Sequence, residues 1–338
     1  MIKTIIKRSI ITISIILIIF LVIPATAFNL SPFAGSMLIR LFFDKLPKPP
    51  FEDPIYRDAV KVSYDISYGK SDDEIFDLYV PISTDIQNCP LIIWVHGGAF
   101  VGGDKRDVTY LAEALAYHGY AVASINYTRA PEASYPTPIL QLDKAYTFLT
   151  TQNYAESDKI DTSRIFLAGD SAGAHTAAEF VIIQTNHTFK NQFLENHKIT
   201  DFSDTSIPTG MLLYCGPYSA WRFEQISHKL MKFMVNQASW AYFGKKNPLE
   251  TRFAEEIDIK SNVTANFPPS LIIDGNYMSF ADHGRDLAAR LSGFDVPVSK
   301  MFFDESTGNV PHEFQFDLTT EAAMISLEYT LEFLNQFE

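Results

Sequence analysis

The chain has 338 residues, a net charge of −13, 47% hydrophobic residues and 20% charged residues. That much apolar matter supplies a sizeable core and excludes a disordered chain. The acidic balance leaves no sequence-wide attraction for nucleic acid or anionic lipid headgroups, and two cysteines with eight unclustered histidines offer no metal-ligand spacing.

At the N-terminus, Lys3, Lys7 and Arg8 precede a run, 9–39, without a charged residue. Residues 10–23 are almost wholly aliphatic, and Pro24-Ala25-Thr26-Ala27 follows. Fourteen apolar residues ending in Ala-x-Ala suit a cleaved signal peptide. The longer stretch 9–28 also suits an uncleaved anchor across a bilayer about 30 Å thick, and the anchor is the reading preferred here. Either way the basic end stays inside. The expected location is extracytoplasmic and anchored to the cell membrane, with secretion as the alternative. Residues 31–43 carry Phe33, Leu38, Leu41 and Phe42 near helical spacing. Such a helix lies along the membrane surface or packs on the domain. Segment 1–28 is thus the targeting segment. Segment 29–54, with Pro47, Pro49, Pro50 and Pro54, is membrane-proximal and ends as a linker. The catalytic domain covers 55–338.

Within it, 64–68 and 76–80 alternate as strands joined across 69–73. Strand 91–95, helix 109–118, strand 121–126 and helix 141–149 follow. An apolar strand at 165–168 leads into a helix at 174–184. Further strands are expected at 210–214, 270–274 and 298–303, and helices at 282–291 and 320–337. Strands alternating with helices predict an α/β fold with a mainly parallel sheet covered on both faces. Its ligands bind beyond the carboxyl ends of the strands. Residues 186–209 read as a polar loop. Residues 217–268, rich in Trp, Phe and Met, read either as a helix packed on the domain or as a cap over an apolar pocket; the cap is preferred. Cys215, at a strand end, reads as a buried small hydrophobe.

Two motifs carry chemistry. His96-Gly97-Gly98-Ala99-Phe100 follows strand 91–95, and adjacent glycines let backbone N–H groups turn toward a reacting oxygen. Gly169-Asp170-Ser171-Ala172-Gly173 joins a strand to a helix, the context of a nucleophile elbow. Ser171 is then the nucleophile, and Gly97, Gly98 and Ala172 are the expected oxyanion donors.

Together with Asn126-Tyr-Thr-Arg-Ala-Pro-Glu132, these motifs resemble the hormone-sensitive-lipase-like branch of the α/β-hydrolases. The resemblance covers roughly 55–338 and implies an α/β-hydrolase fold, no cofactor, and short or medium acyl esters as substrates. In the Ser, acid, His order of this fold the base follows the last strand, and His312 is the one histidine there. The acid is where the pattern breaks. The family's usual slot holds Met278, in Gly275-Asn-Tyr-Met-Ser-Phe-Ala-Asp282. Asp282, one helical turn on, is the expected replacement. Asp274, or a Ser–His dyad helped by water or Ser279, are the alternatives, and a helix-terminal carboxylate is the plain reading of Asp282. The sequence therefore reads as a serine hydrolase acting on small-molecule esters. An amidase or formamidase, or a ligand-binding protein that has lost the chemistry, are the competing functions. Partners beyond substrate and membrane, and the oligomeric state, stay open.

Overall fold

The computed structural model describes residues 29–45, 54–83, 88–200 and 207–337. The targeting segment 1–28 and linker prolines 47, 49 and 50 lie outside them. The strands are β1 (Val60–Ser67), β2 (Ile75–Pro81), β3 (Cys89–Val95), β4 (Ala121–Ile125), β5 (Ile160–Asp170), β6 (Gly210–Tyr214), β7 (Ser270–Asp274) and β8 (Val298–Phe302). They form one sheet in the order β1-β2-β4-β3-β5-β6-β7-β8. The β1–β2 and β2–β4 pairs are antiparallel, and all others are parallel.

The sheet is buried on both faces, as its near-continuous apolar strands require. Along β3 the period of two is plain. Leu91, Ile93 and Val95 join the core under α4 (Thr137–Thr151), α5 (Ala172–Thr185) and α9 (Ala281–Ser292). Ile92 and Trp94 face the opposite core, under α3 (Thr109–Tyr117) and α10 (Glu321–Leu334). Helix α4 starts four residues earlier than the sequence suggested, since Pro138 is tolerated in a first helical turn. Part of the expected polar loop is helix α6 (His187–Leu194). Asn186 caps it by accepting from the Phe189 N–H at 3.1 Å, and Phe189 and Phe193 bury its inner side.

Two further helices shape the site's surroundings. Helix α1 (Pro32–Lys45) packs against α7 (Lys229–Phe243), Gly35 lying against the Gln237 side chain. Arg40 fastens α1 to the domain, donating to the carbonyls of Val101 (2.8 Å) and Ala130 (2.9 Å) and pairing with Glu132. Packing on the domain thus holds for its inner side, where Ser36 and Ile39 are buried, while Leu30, Phe33, Leu38 and Leu41 are exposed. Helix α7 belongs to the 217–268 insert. It stops at Gly244, whose left-handed φ of 84° suits a glycine cap. Between α7 and β7 lies a single turn, α8 (Ile259–Asn262), and before β1 lies another, α2 (Pro54–Asp58). No helix among the described residues is long and apolar enough to cross a membrane.

Candidate active site

The parallel strands end side by side, so the loops after β3, β5, β7 and β8 meet at one edge. Ser171 sits between β5 and α5 with φ 51° and ψ −119°, a conformation that non-glycine residues avoid. The elbow survives because Gly173 has no side chain: a Cβ there would run into the Val95 carbonyl. The Ser171 N–H is held by the Tyr214 carbonyl at 2.8 Å.

His312, the expected base, comes from the loop after β8. That loop is fastened to the loop after β7 by donations from the Asn276 and Tyr277 N–H groups to the Val310 carbonyl (2.9 and 3.0 Å). The His312 N–H returns one to the Tyr277 carbonyl (3.1 Å). His312 Nε2 then lies 3.0 Å from Ser171 Oγ, and its Nδ1 lies 2.8 Å from Ser279 Oγ. Ser279 donates in turn to Asp274 Oδ1. Read as donors and acceptors, this is one chain: Ser171 O–H to His312 Nε2, His312 Nδ1–H to Ser279 Oγ, and Ser279 O–H to Asp274. Each link fixes the tautomer or rotor of the next. Desolvation pulls His312 down to about 4, so the ring is neutral at pH 7. Burial pushes Asp274 up to about 7 against hydrogen bonds from Ser279, Cys215 and the Gly275 backbone.

Asp282 is not in this chain. Its side chain is 67% exposed and pairs with Arg222 (3.7 Å) and Arg285 (3.5 Å). It opens α9 in the first turn, where a carboxylate is favoured by the helix dipole. The expectation for Asp282 is therefore corrected: the carboxylate that reaches the histidine is Asp274, through Ser279. Met278, in the family's acid slot, lines the cavity instead.

The oxyanion loop also differs in one position. The Gly97 N–H is spent on Asp170 Oδ2 at 2.9 Å. The next two N–H groups, of Gly98 and Ala99, have no acceptor among the described residues. Ala172, first residue of α5, has a donor with no intrahelical partner. Gly98 has φ 105° and Ala99 φ 54°, so the loop turns sharply there. Gly98, Ala99 and Ala172 are thus the available donors, with Gly97 as the anchor. His96 Nδ1 lies 2.7 Å from the Gly97 carbonyl, and Arg129 donates to the Gly103 carbonyl at 2.8 Å, which braces the loop.

Above the serine lies a cavity of about 310 Å³ lined by Ser171, Ala172 and His312 and by the apolar side chains of the insert, Met231, Met234, Val235 and Phe243 among them. The insert is thus a cap in the geometric sense. Cys215, Asp274 and His312 bring ligand atoms within 4.8 Å of one another. Ser279 Oγ, bonded to both Asp274 and His312, holds the space between them as part of the hydrogen-bonded chain. Cys89 and Cys215 are free and buried.

The model of the BD-FAE family matches residues 76–282, well over half of the chain. The chain belongs to the BD-FAE family. Its fold makes it an α/β-hydrolase. The solved structure of esterase B from Lactobacillus rhamnosis superposes with a TM-score of 0.71 at 18% identity, covering 93% of this chain and 94% of that one. The kynurenine formamidase of Salmo salar is 30% identical over 36% of this chain and 39% of its own length. Esterase LipQ of Mycobacterium tuberculosis is 25% identical over 82% of this chain and 63% of its own. The chain thus spans well under half the length of the formamidases it matches and under two thirds of LipQ.

Ser279, weighed only as the helper of a Ser–His dyad, and Ala99, not named as a donor, are the site residues whose places sequence reasoning did not settle. A hydroxyl five residues past a strand-end Asp was the available signal for the first. For the second there was none, because the sequence does not show that Asp170 takes up Gly97.

Proposed function

We propose that the protein is a serine esterase cleaving small carboxylic esters with short or medium acyl chains. The observation that carries this reading is the 3.0 Å approach of His312 Nε2 to Ser171 Oγ beside three unoccupied backbone donors. His312 takes the Ser171 proton as Oγ attacks the carbonyl carbon. The Gly98, Ala99 and Ala172 N–H groups bind the oxyanion that forms. As the tetrahedral intermediate collapses, His312 passes its proton to the leaving alkoxide, and an alcohol departs. Water, deprotonated by the same imidazole, then releases the acid and restores Ser171. While His312 carries the extra proton, its Nδ1–H points at Ser279, whose hydroxyl is polarised by Asp274. In its ionised form the Asp274 carboxylate stabilises the imidazolium through one intervening hydroxyl. A cavity of about 310 Å³ is near the lower end for ligand pockets, and its apolar lining favours small apolar acyl groups.

The relatives named kynurenine formamidase support a second reading, in which the same acyl transfer acts on a formamide. Steady-state assays of p-nitrophenyl butyrate against formanilide separate the two. The first is expected to be the better substrate by kcat/KM, and the reverse order would favour the formamidase. Labelling with a fluorophosphonate probe, mapped by peptide mass spectrometry, tests both at once and is expected at Ser171. An unlabelled Ser171 would leave the ligand-binding reading.

For location, the proposal is an extracytoplasmic domain held at the cell membrane by its N-terminal segment. The uncharged run after Lys3, Lys7 and Arg8 supports it, as do the exposed Phe33, Leu38 and Leu41 on α1 and Leu30 just before it. The full chain should stay with membranes after a high-salt wash and be reached by external protease. A soluble mature chain starting at Phe28 would show a cleaved signal peptide instead.

A further inference from the structure

A pair of carboxyls lies against the oxyanion loop and takes no part in the Ser171–His312–Ser279–Asp274 chain. Asp170 ends β5, one residue before the nucleophile, and is buried. Its Oδ1 accepts from Trp94 Nε1 at 2.7 Å and its Oδ2 from the Gly97 N–H at 2.9 Å. Across Gly97 it faces the carboxyl of Glu313, the residue after His312: a Cβ on Gly97 would run into Asp170 Oδ2 and lie 2.6 Å from Glu313 Oε1. Glu313 has a left-handed backbone, φ 58°, and its Oε1 is buried with no hydrogen-bond partner, 3.8 Å from His312 Nε2. Glu313 also lines the cavity with Ser171.

Two adjacent carboxyls, Asp170 buried and Glu313 half-buried, cannot both ionise cheaply, so they hold one proton between them. Burial raises both carboxyls above their ordinary values, and the charge of Asp170 raises Glu313 further. The groups facing the pair do not offset this. His96 and Tyr127 are kept neutral by burial, Cys215 and Tyr218 likewise, His312 is neutral, and Asp107 adds negative charge. The nearby guanidinium of Arg129 donates to the Gly103 carbonyl.

We propose that Glu313 is a positioning residue: by sharing a proton with Asp170 it fixes Gly97 and so aims the Gly98 and Ala99 N–H groups, and loss of the shared proton turns the site off at alkaline pH. The second negative charge would arise beside the loop that must accept a developing oxyanion. The inference rests on the acyl-transfer reading of Ser171.

The test compares wild type, Glu313→Gln and Glu313→Ala. Gln still donates an N–H to Asp170 and has no proton to lose. For each protein, kcat and KM for p-nitrophenyl butyrate are followed from neutral to alkaline pH, beside the rate of fluorophosphonate labelling of Ser171, which needs no knowledge of the substrate. Wild-type kcat and labelling should fall on the alkaline side. Glu313→Gln should lose a few-fold at neutrality and stay flat as pH rises. Glu313→Ala should lose about 10² in kcat with KM little changed, the effect of a misplaced oxyanion donor. Thermal melting checks that each variant folds, and if the Ala variant does not, the Gln profile decides. An alkaline fall in Glu313→Gln equal to that of the wild type would overturn the proposal, as would an unimpaired Glu313→Ala. A wild type that labels at Ser171 without cleaving the ester would count against the ester substrate alone, because labelling still reads the loop.

Discussion

Ser279 stands between His312 and Asp274: its Oγ is 2.8 Å from His312 Nδ1 and donates to Asp274. A hydroxyl in that place carries orientation well and charge less well, since it is neutral. Ser279→Ala and Asp274→Asn should therefore both lower kcat, the second by about 10²–10⁴, in line with the loss of a triad carboxylate. Asp282→Asn should leave kcat/KM within a few-fold, because exposed ion pairs such as those to Arg222 and Arg285 contribute at most about 1 kcal/mol. Steady-state kinetics of the three variants decides. A collapse of activity in Asp282→Asn with normal Asp274→Asn would reverse the assignment.

The acid side of the pH profile follows from the same chain. Ser279 donates properly only to ionised Asp274, which burial raises to about 7, while His312 is already neutral above about 4. As pH rises through neutrality Asp274 loses its proton and kcat/KM should climb. In Asp274→Asn that step should vanish, leaving a slower enzyme whose acid limb lies lower, where His312 protonates. Profiles of the two proteins on one ester show whether the neutral step belongs to Asp274.

Met234 of α7 forms part of the cavity wall over Ser171. Met234→Trp fills part of a space of about 310 Å³. Hydrolysis of p-nitrophenyl acetate should persist and that of the hexanoate should fall by about 10-fold or more, the scale of discrimination set by a few methylenes. An unchanged chain-length profile would place the acyl group elsewhere.

Gly173 tests the elbow itself. A methyl group there meets the Val95 carbonyl, and backbone on both sides has little freedom to move. Gly173→Ala should destabilise the protein by roughly 1–3 kcal/mol or more, as overpacking does, and take activity with it. Thermal melting would show a wild-type midpoint if the elbow were looser than described.

Much of this was legible beforehand, and the reasons are local. The strand of 165–168, the glycines at 169 and 173 and the following helix each specify the elbow by periodicity and backbone freedom, and β3 with His96-Gly97-Gly98 does the same for the oxyanion loop. The mainly parallel sheet, covered on both faces, could be anticipated from strands alternating with helices; the order of its strands could not. The acid could not, because Asp282 has a carboxylate in nearly the expected register, and only the tertiary path shows it turned to Arg222 and Arg285. Asp274 and Ser279 stood only as separate alternatives for the same reason, since their joining depends on a loop from β8 being fastened against a loop from β7. Helix α6 was missed because its eight residues are mostly polar; two buried phenylalanines and the Asn186 cap hold it.

The most direct measurement is kcat/KM for p-nitrophenyl butyrate by the wild-type protein and by Ser171→Ala. Nucleophile and base act as a unit, so the account predicts a fall of at least about 10³. Equal values for the two proteins would contradict it and remove Ser171 from the chemistry.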